Sequence, residues 1–137
     1  MRTAKSIILI DDDIEDLELM SEALKAVASN HDVFCFTEPQ KALAHLQHER
    51  EPPLFILCDI NMPAITGPDL RRMMNEIESL RKKSIPFLFY STSSEPSAIV
   101  KESTLNMQGF FRKPDKFQDM KEMLECIIRY WSNCHLF

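Results

Sequence analysis

Four small polar groups in this 137-residue chain each stand at the end of a predominantly apolar run: Asp11-Asp12-Asp13, Asp59, Ser91-Thr92 and Lys113-Pro114. Taken singly, each has an ordinary use. Acids ahead of a helix cap it and face its dipole, and one Asp after a strand is a common turn residue. Brought together, they would make a site of at least two carboxylates, a hydroxyl and an ammonium. Crowded carboxylates raise one another's pKa unless a cation intervenes. Hard oxygen donors with room for water suit Mg²⁺. A carboxylate beside such a cation can act as a nucleophile, as in aspartyl-phosphate chemistry. The incoming phosphoryl oxygens would then be neutralised by the metal, the lysine and the hydroxyl.

Whether these groups meet depends on the elements that carry them. Residues 7–10, 33–36, 54–58 and 87–90 are short apolar runs and 110–112 a largely apolar one, and they read as five strands. Between them lie amphipathic stretches. Ile14, Leu17, Met20, Leu24 and Val27 recur at helical spacing with acids and a lysine between them, and residues 39–48 carry Leu43 and Leu46 on one side. Pro68 opens a third helix with Leu70, Met73, Met74 and Ile77 as its apolar side. A fourth is expected over 96–107. The last has Phe117, Met120, Leu124, Ile127 and Trp131 at a 3-4-3-4 rhythm, best used against a core. Strict alternation of strand and helix predicts an α/β, doubly wound five-stranded parallel sheet, order 2-1-3-4-5, with five helices. In such a sheet ligands bind at the carboxyl edge, where all four polar groups fall.

Composition narrows the function. The length suits one domain, expected to fill residues 1–137 with its core over about 7–131 and no effector domain. A formal charge of −5 argues against a phosphate backbone as partner, so no nucleic acid is expected. No apolar stretch is long enough for a membrane span or a signal peptide, which points to a cytoplasmic protein. Cys35, Cys58, Cys126 and Cys134 form no C-x-x-C pair and read as reduced, small hydrophobes; His31, His45, His48 and His135 are too scattered to be ligands. The basic run Arg81-Lys82-Lys83 is the ordinary cationic end of a helix. With two glycines in the chain there is no Gly-rich phosphate loop.

The motifs Ile8-Leu9-Ile10-Asp11-Asp12-Asp13, Asp59-Ile60-Asn61-Met62-Pro63 with Gly67 four residues on, Phe89-Tyr90-Ser91-Thr92 and Gly109-Phe110-Phe111-Arg112-Lys113-Pro114 follow in order on successive strand ends. In this the chain resembles the receiver domain of two-component response regulators, in the stand-alone, chemotaxis-regulator-like form with its flavodoxin-like fold. The resemblance implies a role for each position. Asp59 is the phospho-acceptor. Asp12 binds Mg²⁺ directly, Asp11 through a water, and Asn61 through its backbone carbonyl. Lys113 pairs with the phosphoryl oxygens, and Lys113-Pro114 is a cis peptide. Ser91 is the switch hydroxyl and Phe110 the aromatic switch residue. Asn61, Thr92 and Ser93 tune hydrolysis of the acyl phosphate. Asp13, beyond the family's acidic pair, caps the first helix.

The resemblance also implies partners. A sensor histidine kinase or histidine phosphotransfer protein donates the phosphoryl group. A downstream target reads the face made by the fourth helix, fifth strand and fifth helix, where a homodimer could also form. No enzyme activity is expected beyond self-phosphorylation and autodephosphorylation. Four other readings remain: a phosphorelay intermediate, a phosphorylation-independent scaffold on the same fold, a Mg-dependent phosphohydrolase using Asp11 and Asp13 as D-x-D, and a flavodoxin-like nucleotide binder. The last lacks its loop, since the position after the first strand is anionic.

Overall fold

Four consecutive aliphatic residues cannot alternate inside and outside, and Ile7–Ile10 forms a strand, β1, buried on both faces. The structure, a computed structural model, describes residues 4–92 and 106–134. Phe55–Asp59 (β3) and Phe87–Ser91 (β4) are as fully buried as β1, whereas Val33–Phe36 (β2) and Gly109–Arg112 (β5) are partly open. That pattern is explained by the sheet: all strands run parallel in the order β2-β1-β3-β4-β5, with β2 and β5 at its edges. The chain has the expected α/β doubly wound architecture.

Successive residues of each strand face opposite layers. Ile8, Ile10, Ile56, Cys58, Phe87 and Phe89 pack against the helices Pro39–His48 (α2) and Gly67–Glu76 (α3). Ile7, Leu9, Phe55, Leu57, Leu88 and Tyr90 pack against Ile14–Val27 (α1) and Phe117–Ser132 (α5), through Leu17, Met20, Leu24, Met120, Leu124 and Ile127. The core-facing stripe expected on the last helix is present from Met120 to Trp131, while Phe117 is exposed. On the first helix it starts at Leu17, because Ile14 is 58% exposed.

Several boundaries differ from the sequence reading. β3 and β4 each run one residue further, to Asp59 and Ser91, and β5 begins at Gly109. The third helix ends at Glu76, and a separate four-residue helix follows, Glu78–Arg81 (α4), with Ile77 between them. Lys82 and Lys83 close that short helix: Lys82 pairs with Glu78 at 3.0 Å, and Lys83 Nζ donates to the Glu49 carbonyl at 2.7 Å. The helix expected over 96–107 falls mainly outside the described residues. Cys35 is exposed, not packed, because its strand is an edge strand. His45 lies on α2, half-buried against Phe34 and Phe36, with ring centroids 4.6 and 5.3 Å away.

Gly67 sets how closely α3 approaches the end of β3. A Cβ there would run into the Asp59 carbonyl oxygen and come within 2.9 Å of Phe89 Cε1 and 3.2 Å of Ile60 Cα. Two of these are backbone atoms in the buried sheet edge and cannot yield cheaply. Gly67→Ala is expected to destabilise the fold by about 1–3 kcal/mol, the usual cost of overpacking. A urea unfolding midpoint equal to that of the parent chain would contradict this close approach.

Candidate functional site

The strand register places the acids. Ile10 lies beside Cys58 across β1 and β3, so Asp11 and Asp59, one residue further on each, are neighbours. Asp11, Asp12 and Asp59 each offer a carboxylate oxygen, and these lie within 4.8 Å of one another. Asp11 is fully buried and Asp59 is 7% exposed, while Asp12 is exposed. Asp13 caps α1 as the sequence implies, its side chain accepting from the N–H groups of Glu15 and Asp16.

Asp11 is held on both oxygens. Oδ1 accepts the Asp13 N–H at 3.0 Å. Oδ2 accepts the Tyr90 hydroxyl at 2.5 Å and the Lys113 ammonium at 3.0 Å. Burial, reinforced by Asp11, raises the Tyr90 pKa, so the phenol remains a donor. Asp59 is held more loosely: Oδ1 accepts the Asn61 N–H at 3.4 Å, and Oδ2 lies 3.7 Å from Lys113 Nζ. Among the described residues no hydrogen bond reaches the Asp12 carboxylate.

Lys113 reaches the acids from β5, passing above the Tyr90 ring with Nζ 4.6 Å from its centroid. Its backbone N–H bonds the Ser91 carbonyl at 2.7 Å, which ties the ends of β4 and β5 together. Burial alone would lower the lysine's pKa, but hydrogen bonds to Asp16 and Asp11 outweigh it and hold the ammonium above its usual value. Ser91 is buried at the end of β4, and Thr92 beyond it is exposed. Phe110 is half-buried against the layer that holds α3. Ser93 lies outside the described residues.

The structure thus brings together Asp11, Asp12, Asp59, Asn61, Ser91 and Lys113. One expectation is corrected: the Lys113–Pro114 peptide is trans, as is every peptide bond among the described residues. Trans is the lower-energy isomer of such a bond by roughly 0.5–1 kcal/mol, and from it the lysine already reaches Asp11. Two participants escaped the sequence reading, Tyr90 and Asp16. Tyr90 looks like one more core residue of its strand. Asp16 looks like a solvated helix acid, yet its carboxylate lies 3.0 Å from Lys113 Nζ. The one available signal was position: an acid in the first turn of a helix that starts at a strand end leans back toward that end.

Oxygen donors alone, with more carboxylates than the one ammonium offsets, suit a hard divalent cation. Asp12 and Asp59 have the oxygens free to take it. The sequence pattern of the response regulator receiver domain matches residues 7–125. The chain belongs to that family. Response regulator Rcp1 of Synechocystis sp. is 26% identical over 132 residues, spanning 93% of this chain and 88% of that protein. The structure of the phosphorylated cyanobacterial phytochrome response regulator RcpA has the same fold, with a TM-score of 0.80 at 24% identity over 98% of both chains. The Mn²⁺-bound form of Rcp1 superposes with a TM-score of 0.75 at 25% identity, over 97% of this chain and 98% of that one. Among the described residues, no helix is long and apolar enough to cross a membrane.

Burial raises the Asp59 pKa to about 6, and Asp11 and Asp12 add to the rise while Lys113 and the Asn61 N–H oppose it. With a folded value above the ordinary 3.8, between about pH 4 and 6 the native state holds a proton that the unfolded chain has lost. Stability associated with Asp59 is therefore full below about pH 4 and is lost as pH rises through 6. In metal-free buffer Asp59→Asn is expected to be more stable than the parent by about 2 kcal/mol at neutral pH. That advantage should vanish in acid; a constant difference from neutral pH to pH 4 would refute the raised pKa.

Proposed function

We propose that this receiver domain accepts a phosphoryl group on Asp59 in a Mg²⁺-dependent reaction and passes the signal to a partner protein. The observation that carries the reading is the pocket at the ends of β1, β3 and β5. Two buried carboxylates and an exposed one converge there, with an ammonium 3.7 Å from the Asp59 oxygen. The donor is the phosphohistidine of a sensor histidine kinase or a histidine phosphotransfer protein. An Asp59 oxygen forms the bond to phosphorus as the bond to the donor's imidazole nitrogen breaks and the electron pair leaves with the imidazole.

Asp12, Asp59 and the Asn61 backbone carbonyl would hold Mg²⁺, with Asp11 acting through a water. When bound, the ion supplies positive charge for the phosphoryl oxygens and for the crowded acids. Lys113 and the Ser91 hydroxyl stabilise the remaining oxygens. The donor's high-energy bond drives the step, so the protein's part is positioning and charge neutralisation. Water later removes the group, at a rate tuned by Asn61, Thr92 and Ser93.

In the phosphorylated state Ser91 is drawn toward the new group and Phe110 turns into the space it leaves. This biases a two-state element by one local charge. The changed surface is that of β5 and α5, which a target protein or a second copy would read. Beyond its own phosphorylation and dephosphorylation the chain is not an enzyme. The reading goes with a cytoplasmic location and with no nucleic-acid or membrane partner.

Incubation with acetyl phosphate and Mg²⁺ followed by intact-mass measurement tests this. One phosphoryl group is expected on the parent chain, none after chelation of the metal, and none on Asp59→Asn. A parent chain that stays unmodified, or an Asp59→Asn variant that gains the group, would overturn it.

A further inference from the structure

In a helix that opens with a capping box, the acid at the third helical position reaches back to the backbone N–H of the cap residue. α3 does this: Asp69 accepts the Thr66 N–H at 3.1 Å while Thr66 accepts that of Asp69 at 3.2 Å. α1 has the same pieces, with Asp13 as cap and Asp16 in the third position, but only half the box is closed. The Asp13 side chain accepts the Asp16 N–H at 3.3 Å. The Asp13 N–H is given instead to Asp11 Oδ1 at 3.0 Å. The Asp16 carboxylate is thereby released from capping, and it lies 3.0 Å from Lys113 Nζ.

We propose that Asp16 is a positioning residue for phosphoryl transfer: with Asp11 it tethers the Lys113 ammonium where a phosphoryl oxygen on Asp59 arrives. This rests on Asp59 being the acceptor. Three features of Lys113 support it. The ammonium has three N–H donors, and Asp11 and Asp16 take two at 3.0 Å each. Asp59 Oδ2 is 3.7 Å away. A charge-assisted N–H···O bond is about 2.7–2.9 Å long, so the third donor is not closed onto Asp59 and can meet an oxygen of the incoming group.

Packing covers the lysine on the Tyr90 side but leaves it open on another. A cavity of about 220 Å³ opens beside it, lined by Asp16, Leu19, Met20, Tyr90, Thr92 and Pro114 among others. A flexible four-carbon stem next to open space keeps a fixed position only if charge holds it there. Besides the Tyr90 ring face at 4.6 Å, Asp11 is the one carboxylate at hydrogen-bond distance without Asp16, and Asp16 supplies the second such anchor from the α1 side. Because Asp16 is 40% exposed, the pair adds little to folding. Its effect is on the geometry of the reacting site, where small misplacements are costly.

The test uses acetyl phosphate and Mg²⁺ with the full chain, reading the initial rate of acyl-phosphate formation by intact mass. In that reaction Asp59 attacks phosphorus, the bond from phosphorus to the acetyl oxygen breaks, and acetate leaves with the electron pair. The Lys113 proton stays on nitrogen. Asp16→Asn, which keeps the shape and removes the charge, is expected to slow the reaction by about tenfold. Its unfolding midpoint and its Mg²⁺ affinity are expected to stay at the parent values. In a Lys113→Met background, itself slow, Asp16→Asn is expected to cost nothing further, since the two act as one unit. An Asp16→Asn rate equal to the parent's overturns the proposal. So does an equal loss in both backgrounds, which would mean that Asp16 acts through α1 or the metal. A parent chain that takes no phosphoryl group at all removes the assignment of Asp59, and the role of Asp16 with it, an outcome distinct from the other two.

Discussion

Two carboxylates at adjoining strand ends, one fully buried and the other nearly so, have to be kept apart from each other's charge. The adjacency of β1 and β3 creates this problem, and the rest of the sheet edge is arranged around it. Lys113 comes from β5, two strands beyond β3, across the Tyr90 ring of β4, to reach Asp11 and to lie near Asp59. A buried charge without a partner would be costly, so Asp11 takes two donors on one oxygen and a backbone N–H on the other. Asp59 is the member left underpaired. Burial raises its pKa to about 6, with only Lys113 and the Asn61 N–H to oppose the rise, and under the proposed function the oxygen so left open takes metal and phosphorus.

Parts of this were legible in the chain. Asp11, Asp59, Ser91 and Lys113 each end an apolar run, and a parallel sheet carries all such ends to one edge. Asp13 as a cap and Pro68 in the first turn of α3 were equally plain, because capping chemistry is local. Gly67 is the link between local and distant: its place before a helix could be read, but its need for a missing Cβ comes from Asp59 and Phe89.

What stayed hidden depends on contacts between residues far apart. Tyr90 and Asp11 are 79 residues apart, and Asp16 and Lys113 are 97 apart. Neither partnership leaves a mark on its own segment. Cys35 lies in an apolar run that reads like a central strand, although the expected strand order already put that strand at an edge. Ile77 continues the apolar spacing of α3, so the break before α4 is invisible to periodicity. The cis bond came from resemblance alone, and no local contact of this chain requires it.

The family explains why so little machinery suffices. The proposed phosphoryl transfer asks for one poised carboxylate and cations around it. The pocket provides the carboxylate at the end of β3 and an ammonium just past the end of β5, while Asp13 caps α1 and Asp16 in its first turn meets the lysine. The decisive measurement is the location of the phosphoryl group. Borohydride reduces an acyl phosphate to the alcohol, so phosphorylated protein treated this way and mapped by peptide mass should carry homoserine at position 59 alone. Homoserine at position 11, 12 or 16, or none anywhere in a chain that had gained the mass of a phosphoryl group, would contradict it.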